Sequence, residues 1–266
     1  MADWRSYDNI AERYDQVWSA RFEAVARQIW ALVPPHAGDR LLDIGTGTGI
    51  MLRSLAQVAP GAVLTVGCDR SAGMLLRARE WVAGVRVLVA DAIALPFRDE
   101  SFHLATASFV LSHIHDYPRA LAETLRVLKP SGRLAVSSWA PPSDPYSAAW
   151  GEWLAEAISK PEAERAMAEV APWEEHFSQE GALEAALTRA GFSPVSSQAV
   201  HVESSFTVDQ FVEDRELSSG GRLARHLLTA EDWTRARAAA RDRLHARFGS
   251  SFRYDRRAFI VIARKP

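Results

Sequence analysis

The sequence predicts an α/β fold: a Rossmann-like, seven-stranded, mostly parallel sheet with helices on both faces. An apolar strand at 40–44 runs directly into a loop of three alternating glycines at 45–49, and a helical pattern follows. Strand-like and helix-like segments keep alternating up to Trp139, as in right-handed βαβ units. Two later strand-like runs, at 195–203 and 257–264, bring the expected number of strands to seven. We expect residues 1–266 to form a single domain.

The composition is that of an ordinary globular protein. The chain has 266 residues, 48% of them hydrophobic, and a formal net charge of −2, so no nucleic-acid partner is expected. The single cysteine, Cys68, excludes an intramolecular disulfide and a cysteine-based metal cluster, and we expect it to be a small buried hydrophobe. No metal site is predicted. No apolar run approaches the roughly 18 residues of a membrane span, and the N-terminus lacks a signal-peptide core, so a cytoplasmic protein is expected.

A helical leader at about 7–33 is expected ahead of the first strand. Its apolar residues, among them Ile10, Tyr14 and Phe22, recur at helical spacing, and Pro34-Pro35 ends the run. After the glycine loop we expect a helix at 50–59 closed by Pro60-Gly61, a strand at 62–68, a helix capped by Ser71, strands at 85–90 and 102–107, a helix at 119–128, a turn at 129–132 and a strand at 133–139.

The carboxyl ends of parallel strands meet at one edge of a sheet, where ligands bind. Asp43, Asp69, Asp91 and Ser108 lie at or just beyond strand ends, so we expect them to converge there. The first glycine of the loop, Gly45, permits a tight turn, and the two that follow leave room for a ligand against the backbone.

The regular alternation breaks at a proline-rich linker, 140–145. Helices at 148–158 and 161–170 indicate a helical lid inserted at about 140–180. A packing helix at 180–190, helices at 208–217, 223–228 and 230–248, the last capped by Thr229, and the two late strands complete the chain.

Four motifs, taken in order, resemble the class I S-adenosylmethionine-dependent methyltransferases, particularly the ubiquinone/menaquinone-biosynthesis and natural-product small-molecule group. They are Asp43-Ile44-Gly45-Thr46-Gly47-Thr48-Gly49, then 68–75, then Ala90-Asp91-Ala92 with Leu95-Pro96-Phe97, then 125–134. The resemblance implies S-adenosylmethionine as the cofactor and methyl transfer to an O, N or C atom of a small, apolar or aromatic acceptor. A nicotinamide dinucleotide is the main alternative ligand, but Ile50 stands where that fingerprint has its third glycine.

The resemblance also implies a set of cofactor-binding residues: Tyr7, Tyr14, Asp43, Gly45, Thr46, Gly47, Gly49, Asp69, Arg70, Met74, Asp91, Ala92, Ser108 and Phe109. An ionised carboxylate at Asp69 accepts hydrogen bonds from ribose hydroxyls, and Asp91 resembles the acid at the adenine end. Asp43 either supports the loop or receives the amino group of the methionine part.

Two residues are candidates for catalysis. His113 follows the fourth strand, where this family often carries a histidine facing the active site, and would act as a general base; packing against the next helix is the alternative. Tyr7-Asp8 and Tyr14-Asp15 resemble the leader repeats of related enzymes. The Tyr14 phenol would bind the cofactor or the acceptor, although Tyr14 also belongs to the apolar stripe.

The remaining features leave alternatives open. The tryptophans at 139, 150, 153 and 173 suggest an acceptor pocket, or else only pack the lid. One predicted helix carries five arginines, at 235, 237, 241, 243 and 247, which suggest an RNA methyltransferase as an alternative. Acidic residues between them favour a solvated helix instead. A cyclase or binding protein on the same fold, which does not use the methyl group, is a further alternative.

Overall fold

The computed structural model describes residues 5–59, 64–81 and 86–266, within which seven strands form one sheet flanked by helices. The strands are β1 (Arg40–Ile44), β2 (Leu64–Asp69), β3 (Arg86–Val89), β4 (Phe102–Ser108), β5 (Leu128–Trp139), β6 (Ser193–Thr207) and β7 (Ser251–Arg264). The α-helices are α1 (Ala11–Leu32), α2 (Ile50–Val58), α3 (Ala72–Trp81), α4 (Tyr117–Val127), α5 (Pro145–Ala157), α6 (Lys160–Val170), α7 (Glu174–Phe177), α8 (Ala182–Arg189), α9 (Val208–Leu217), α10 (Ser219–Leu227) and α11 (Ala230–Phe248).

The sheet has the order β3-β2-β1-β4-β5-β7-β6. Strands β1 to β5 pair in parallel, and β7 runs antiparallel between β5 and β6. The order reverses at β1, between β2 and β4, so a crevice opens at the carboxyl ends of these strands. This arrangement confirms the predicted Rossmann-like, mostly parallel sheet.

Three apolar cores hold the helices in place. One face of the sheet packs against α1, α2 and α3 through residues such as Ile29, Leu52 and Leu75. The other face packs against α4 and α8 through Leu121 and Leu187. The third core joins the helices at 145–170 to the helices at 208–248, so the residues predicted as a lid share their interior with the C-terminal helices.

Most elements form where the sequence predicts them, and one prediction is wrong. The expected turn at 129–132 is part of β5, where the pairing with β4 shifts between Phe102 and Leu104 and Ser131 adopts φ +62°. The extra residues bulge out of the ladder because β4 offers no partners for them. The helix end predicted at Pro60-Gly61 and the strand starts predicted at 62 and 85 lie outside the described residues. None of the described helices is both long and apolar enough to cross a membrane.

Candidate active site

Two glycines after β1 shape a loop that exposes its backbone. Gly45 has φ +67°, and a Cβ there would lie 2.3 Å from Cγ2 of Val110. Gly47 has φ +54°, yet the nearest atom to such a Cβ is the Gly45 carbonyl oxygen, 4.0 Å away. The missing side chain of Gly47 therefore opens onto free space, and a ligand there can approach the backbone.

That space is a cavity of about 300 Å³ at the carboxyl edge of the parallel strands. Its volume lies at the lower end of the range for small-molecule pockets. Thirteen of the predicted site residues line it: Tyr7, Tyr14, Gly45, Thr46, Gly47, Asp69, Arg70, Met74, Asp91, Ala92, Ser108, Phe109 and His113. Residues from the leader, the glycine loop and the ends of three strands thus meet around one volume.

Two carboxylates at the ends of neighbouring strands line this cavity. Asp69 accepts hydrogen bonds from the Gly47 N–H at 2.9 Å and from the Ser71 N–H at 2.8 Å. Burial raises the pKa of Asp69, and these backbone donors partly offset the effect. Asp91 accepts from the Ile93 N–H at 3.2 Å. Each carboxylate oxygen has two lone pairs, so both residues still have acceptor capacity for a ligand.

Asp43 and Gly49 lie behind the cavity wall. Asp43 is 1% exposed and accepts a 2.6 Å hydrogen bond from the Thr106 hydroxyl, while its Oδ2 has no hydrogen-bond partner among the described residues. Burial raises the pKa of Asp43 to about 6. A Cβ at Gly49 would lie 3.1 Å from that of Ala78 in α3. Asp43 therefore does not line the cavity, and the hydrogen bond of its carboxylate joins β1 to β4.

The aspartates of the two leader repeats attach the leader to the cavity. Asp8 accepts hydrogen bonds from the Ser71 hydroxyl at 2.6 Å and the Gly73 N–H at 2.8 Å. Asp15, which is 4% exposed, accepts one from the Thr48 hydroxyl of the glycine loop at 3.1 Å. The leader is therefore fastened both to the start of α3 and to the loop.

The tyrosines of the same repeats line the cavity. The Tyr7 and Tyr14 rings meet edge to face with centroids 6.0 Å apart, and Tyr14 stacks on Phe22 at 5.7 Å. Burial raises the pKa of both phenols, so both stay protonated at neutral pH. Tyr14 can therefore donate a hydrogen bond into the cavity, but it is not a base there.

His113 also lines the cavity, and its ring is held by the end of α6. Its Nδ1 lies 3.0 Å from the Val170 carbonyl oxygen. A carbonyl only accepts, so Nδ1 carries the proton of the neutral ring and Nε2 is left with a free lone pair. The His113 ring contacts that of Tyr7 edge to face, at 6.0 Å.

Of the two alternatives for the tryptophans at 139, 150, 153 and 173, their positions favour packing between helices over a contribution to this cavity. Within the described part of the chain, the cavity is lined by none of the four. Trp150 and Trp153 pack against each other at 4.4 Å in the core shared by the lid and C-terminal helices. Trp173 packs against the core of α4 and α8, and Trp139 stacks behind Phe109 at 4.4 Å. Large indoles favour burial between helices, and periodicity does not distinguish that from a pocket.

Further cavity residues were outside the predicted set: Phe22, Ile44, Thr48, Ile50, Met51, Cys68, Ala90, Ile93, Val110, Ile114, His115 and Asp116. The sequence could have placed Phe22 at the cavity, because Phe22 lies eight residues after Tyr14 and so on the same face of the leader helix. Cys68 is 1% exposed, and burial raises the pKa of its thiol to about 12, as expected for a buried hydrophobe.

The wall of this cavity fits S-adenosylmethionine. Gly47 provides a bare backbone where a Cβ would meet nothing closer than 4.0 Å. Asp69 and Asp91 provide carboxylates of the kind that bind hydroxyl and amine groups, and Phe22 and Phe109 provide apolar rings 5.0 Å apart.

Comparisons with known proteins agree with this fit. A family model described as a methyltransferase domain matches residues 42–136, from β1 into β5. The demethylmenaquinone methyltransferase of Thermobifida fusca is 34% identical over 209 residues, which are 71% of this chain and 86% of that protein.

Two solved structures share the fold. A SAM-dependent methyltransferase from Thermotoga maritima has a TM-score of 0.58 at 17% identity, covering 99% of this chain and 100% of that one. The [4+2]-cyclase SpnF has a TM-score of 0.58 at 24% identity, covering 92% and 81%. At these identities the structures establish the fold alone, whereas the sequence relative establishes the family. The chain belongs to the class I S-adenosylmethionine-dependent methyltransferases and transfers a methyl group to a small molecule.

Proposed function

We propose that the cavity holds S-adenosylmethionine along the carboxyl edge of the sheet. The observation that carries this is the 2.9 Å hydrogen bond between the Gly47 N–H and the Asp69 carboxylate, which joins the bare loop to the acid at the end of β2. In this arrangement Asp69 accepts from the ribose hydroxyls and Asp91 from the adenine amine. Arg70 and Met74, which line the same wall, flank the nucleoside.

The cofactor supplies a methyl group that its sulfonium has already activated for transfer. The chain's own task is to orient an acceptor and keep water away. Tyr7 and Tyr14 close one side of the cavity, and Asp8 and Asp15 hold them there through the leader. The protonated Tyr14 acts as a hydrogen-bond donor.

His113 is the general base of this proposal. The Val170 carbonyl binds Nδ1–H, so Nε2 is the nitrogen that accepts the proton leaving an acceptor hydroxyl. Removing that proton raises the electron density of a phenol or hydroquinone at its O and ring C atoms. The base is thus matched to an aromatic acceptor with an ionisable hydroxyl.

Two observations support an aromatic acceptor of the reduced quinone kind. The rings of Phe22 and Phe109 offer apolar surface on which a flat ring can pack. The Thermobifida fusca relative is named for demethylmenaquinone.

Nucleic acid is not the proposed acceptor. The arginines of α11 have acidic neighbours: Arg235 pairs with Asp232, Arg237 with Glu216, Arg241 with Asp242, Arg243 with Glu156 and Arg247 with Glu152. Such pairing neutralises the helix surface that a phosphate backbone would need.

The test has two steps. Calorimetry first measures S-adenosylmethionine binding by the wild type and by Asp69→Ala, and we expect at least a tenfold weaker affinity in the variant. Reduced 1,4-naphthoquinone is then offered as acceptor, and mass spectrometry follows the methylated ring and S-adenosylhomocysteine. Unchanged binding by Asp69→Ala would refute the cofactor site. Cofactor binding without any methylated product would refute the unsubstituted hydroquinone as the acceptor.

A further inference from the structure

Four arginines from four elements lie together behind the tyrosines of the cavity. Arg21 of α1, Arg215 of α9, Arg222 of α10 and Arg256 of β7 form what we call the arginine cluster. The charges of Arg215 and Arg256 both act on Arg21. Those of Arg21 and Arg222 both act on the phenol of Tyr14, which lines the cavity. The geometry agrees, because Arg21 and Arg215 share Asp214 while Arg222 and Arg256 lie over the rings of Tyr7 and Trp139, so the cluster lies beside the active site.

The charges of this cluster are not balanced. Asp214, which is 0% exposed, is shared by Arg21 and by Arg215, whose Nη2 lies 2.5 Å from its Oδ2. Within the described residues, neither Arg222 nor Arg256 forms an ion pair. Glu174 and Asp144 act on Arg256 only from beyond ion-pair distance. One carboxylate thus serves two of the four cations, and the described residues place no carboxylate within ion-pair distance of the other two.

Arg222 is the arginine of this cluster that most clearly lacks partners for its guanidinium group. It is 7% exposed, and its Nη1 donates to the Ser6 carbonyl at 3.3 Å. Its Nε and Nη2 are buried without a hydrogen-bond partner among the described residues, and so is Nε of Arg256. Burying a charged group without a partner is costly. A site with unused guanidinium donors of this kind is suited to a carboxylate or a phosphate.

Aromatic rings connect both guanidinium groups to the cavity. Arg222 lies 4.4 Å from the centroid of Tyr7, a ring that also contacts His113 at 6.0 Å. Arg256 lies 4.5 Å from the centroid of Trp139, which stacks on the cavity residue Phe109. Cation–π contacts offset only part of the free-energy cost of burying these two charges. Burial and the neighbouring arginine Arg215 lower the pKa of Arg256, as expected where the local field is positive.

We propose that the methyl acceptor carries an anionic group, a carboxylate or a phosphate, which Arg222 and Arg256 bind. The inference rests on the proposed function, because it assigns a charged substituent to the acceptor of that same cavity. The aromatic body of the acceptor lies against Phe22 and Phe109, and its anion extends past Tyr7 to Arg222. A neutral quinol would leave both cations without an anionic partner.

Thermal unfolding of the protein loaded with S-adenosylhomocysteine tests this. The probes are inorganic phosphate, benzoate and the neutral benzyl alcohol, each titrated against sodium chloride at equal ionic strength. We expect phosphate or benzoate, but not benzyl alcohol, to raise the melting temperature saturably, by about 3 °C or more. The more effective anion identifies the group that the acceptor carries.

Three variants decide whether the arginines are responsible. Arg222→Gln should lose the saturable shift, Arg222→Lys should keep part of it, and Arg225→Gln, an exposed arginine of the same helix, should keep all of it. In chloride alone, Arg222→Gln should melt no lower than the wild type, because it removes an unpaired buried charge; a purely structural arginine would lower the melting temperature. If Arg222→Gln does not fold, Arg256→Gln replaces it.

The inference would be overturned if no anion raised the melting temperature of the wild type specifically. It would also be overturned if Arg222→Gln kept the full shift in melting temperature. The stabilisation by S-adenosylhomocysteine itself is measured first, without added anion. If it is present while the anion effect is absent, the proposed function stands and only the charged acceptor fails.

Discussion

The hydroxyl of Thr48 donates a 3.1 Å hydrogen bond to the buried carboxylate of Asp15, and so joins the glycine loop to the leader helix. Asp15 also receives the Ser19 hydroxyl at 2.6 Å and lies 3.5 Å from the guanidinium groups of Arg53 and Arg77. One side chain thereby fixes the leader, the loop and two helices relative to one another. Asp15 thus links the leader, which closes one side of the cavity, to the glycine loop that lines it.

Asp15→Ala should weaken S-adenosylhomocysteine binding about tenfold and destabilise the fold by roughly 2 kcal/mol, because it leaves the buried Thr48 hydroxyl without its acceptor and removes the ion pairs with Arg53 and Arg77. Calorimetry and chemical denaturation measure the two effects. Asp15→Asn, which keeps an acceptor for Thr48, should recover most of the affinity, and Glu12→Ala, on the exposed face of the same helix, should resemble the wild type. Wild-type affinity in Asp15→Ala would contradict the coupling.

His113 should occupy the Nδ1–H tautomer, because the carbonyl of Val170 can only accept. Nitrogen-15 NMR of labelled histidines distinguishes the tautomers, and His113→Ala assigns the signal. With an active acceptor, His113→Ala should lower kcat by 10²- to 10⁴-fold, roughly the range for a general base, and leave cofactor affinity intact. His36→Ala, at an exposed position, is the control. An Nε2–H signal or full turnover would remove His113 from catalysis.

Asp43 should make stability depend on pH in a defined direction. Burial raises its pKa from 3.8 to about 6, so the folded protein binds this proton more tightly than the unfolded chain. Its contribution to the free energy of unfolding should therefore increase as pH falls from about 6 to about 4, by an amount on the order of 3 kcal/mol.

The difference between wild type and Asp43→Asn isolates this effect, because all other groups cancel. Urea denaturation without cofactor, at intervals from pH 4 to pH 7, measures it. We expect Asp43→Asn to be the more stable protein at pH 7, with the advantage shrinking toward pH 4. A constant difference across this window would contradict the assigned pKa.

Gly45 and Gly47 should respond differently to alanine. Both have positive φ, which costs an alanine about 1–2 kcal/mol. At Gly45 the new Cβ would in addition lie 2.3 Å from Val110, so we expect Gly45→Ala to be destabilised by about 3 kcal/mol or more.

Gly47→Ala should lose little more than the backbone cost, yet bind S-adenosylhomocysteine at least tenfold more weakly, because its methyl group enters the cavity. Thermal unfolding and calorimetry on both variants separate stability from binding. Equal destabilisation of the two would contradict the packing at Val110, and unchanged affinity in Gly47→Ala would place the ligand away from the loop.

Local sequence patterns were sufficient to predict the parallel strands of the sheet and the edge at which the cavity lies. Apolar strands leading into glycine or aspartate located β1, β2 and β3, and the rule that parallel strands end at one edge brought Asp69 and Asp91 to one cavity. These features depend on neighbours within a few residues and on a general topological rule. The glycine loop illustrates this, because its spacing, with Ile50 at the position of the third glycine, argues against a dinucleotide fingerprint.

Only the tertiary structure decided what surrounds that frame. Trp150 and Trp153 pack helices rather than lining the cavity, and Asp43 is buried outside the cavity wall, where it binds Thr106 of β4. The pairing of Asp15 with Thr48, and the unpaired Arg222 beside Tyr7, join residues far apart in the chain. Periodicity reports which face of an element is buried, whereas the partner of a buried charge depends on how distant elements pack, and that is set only when the whole chain folds.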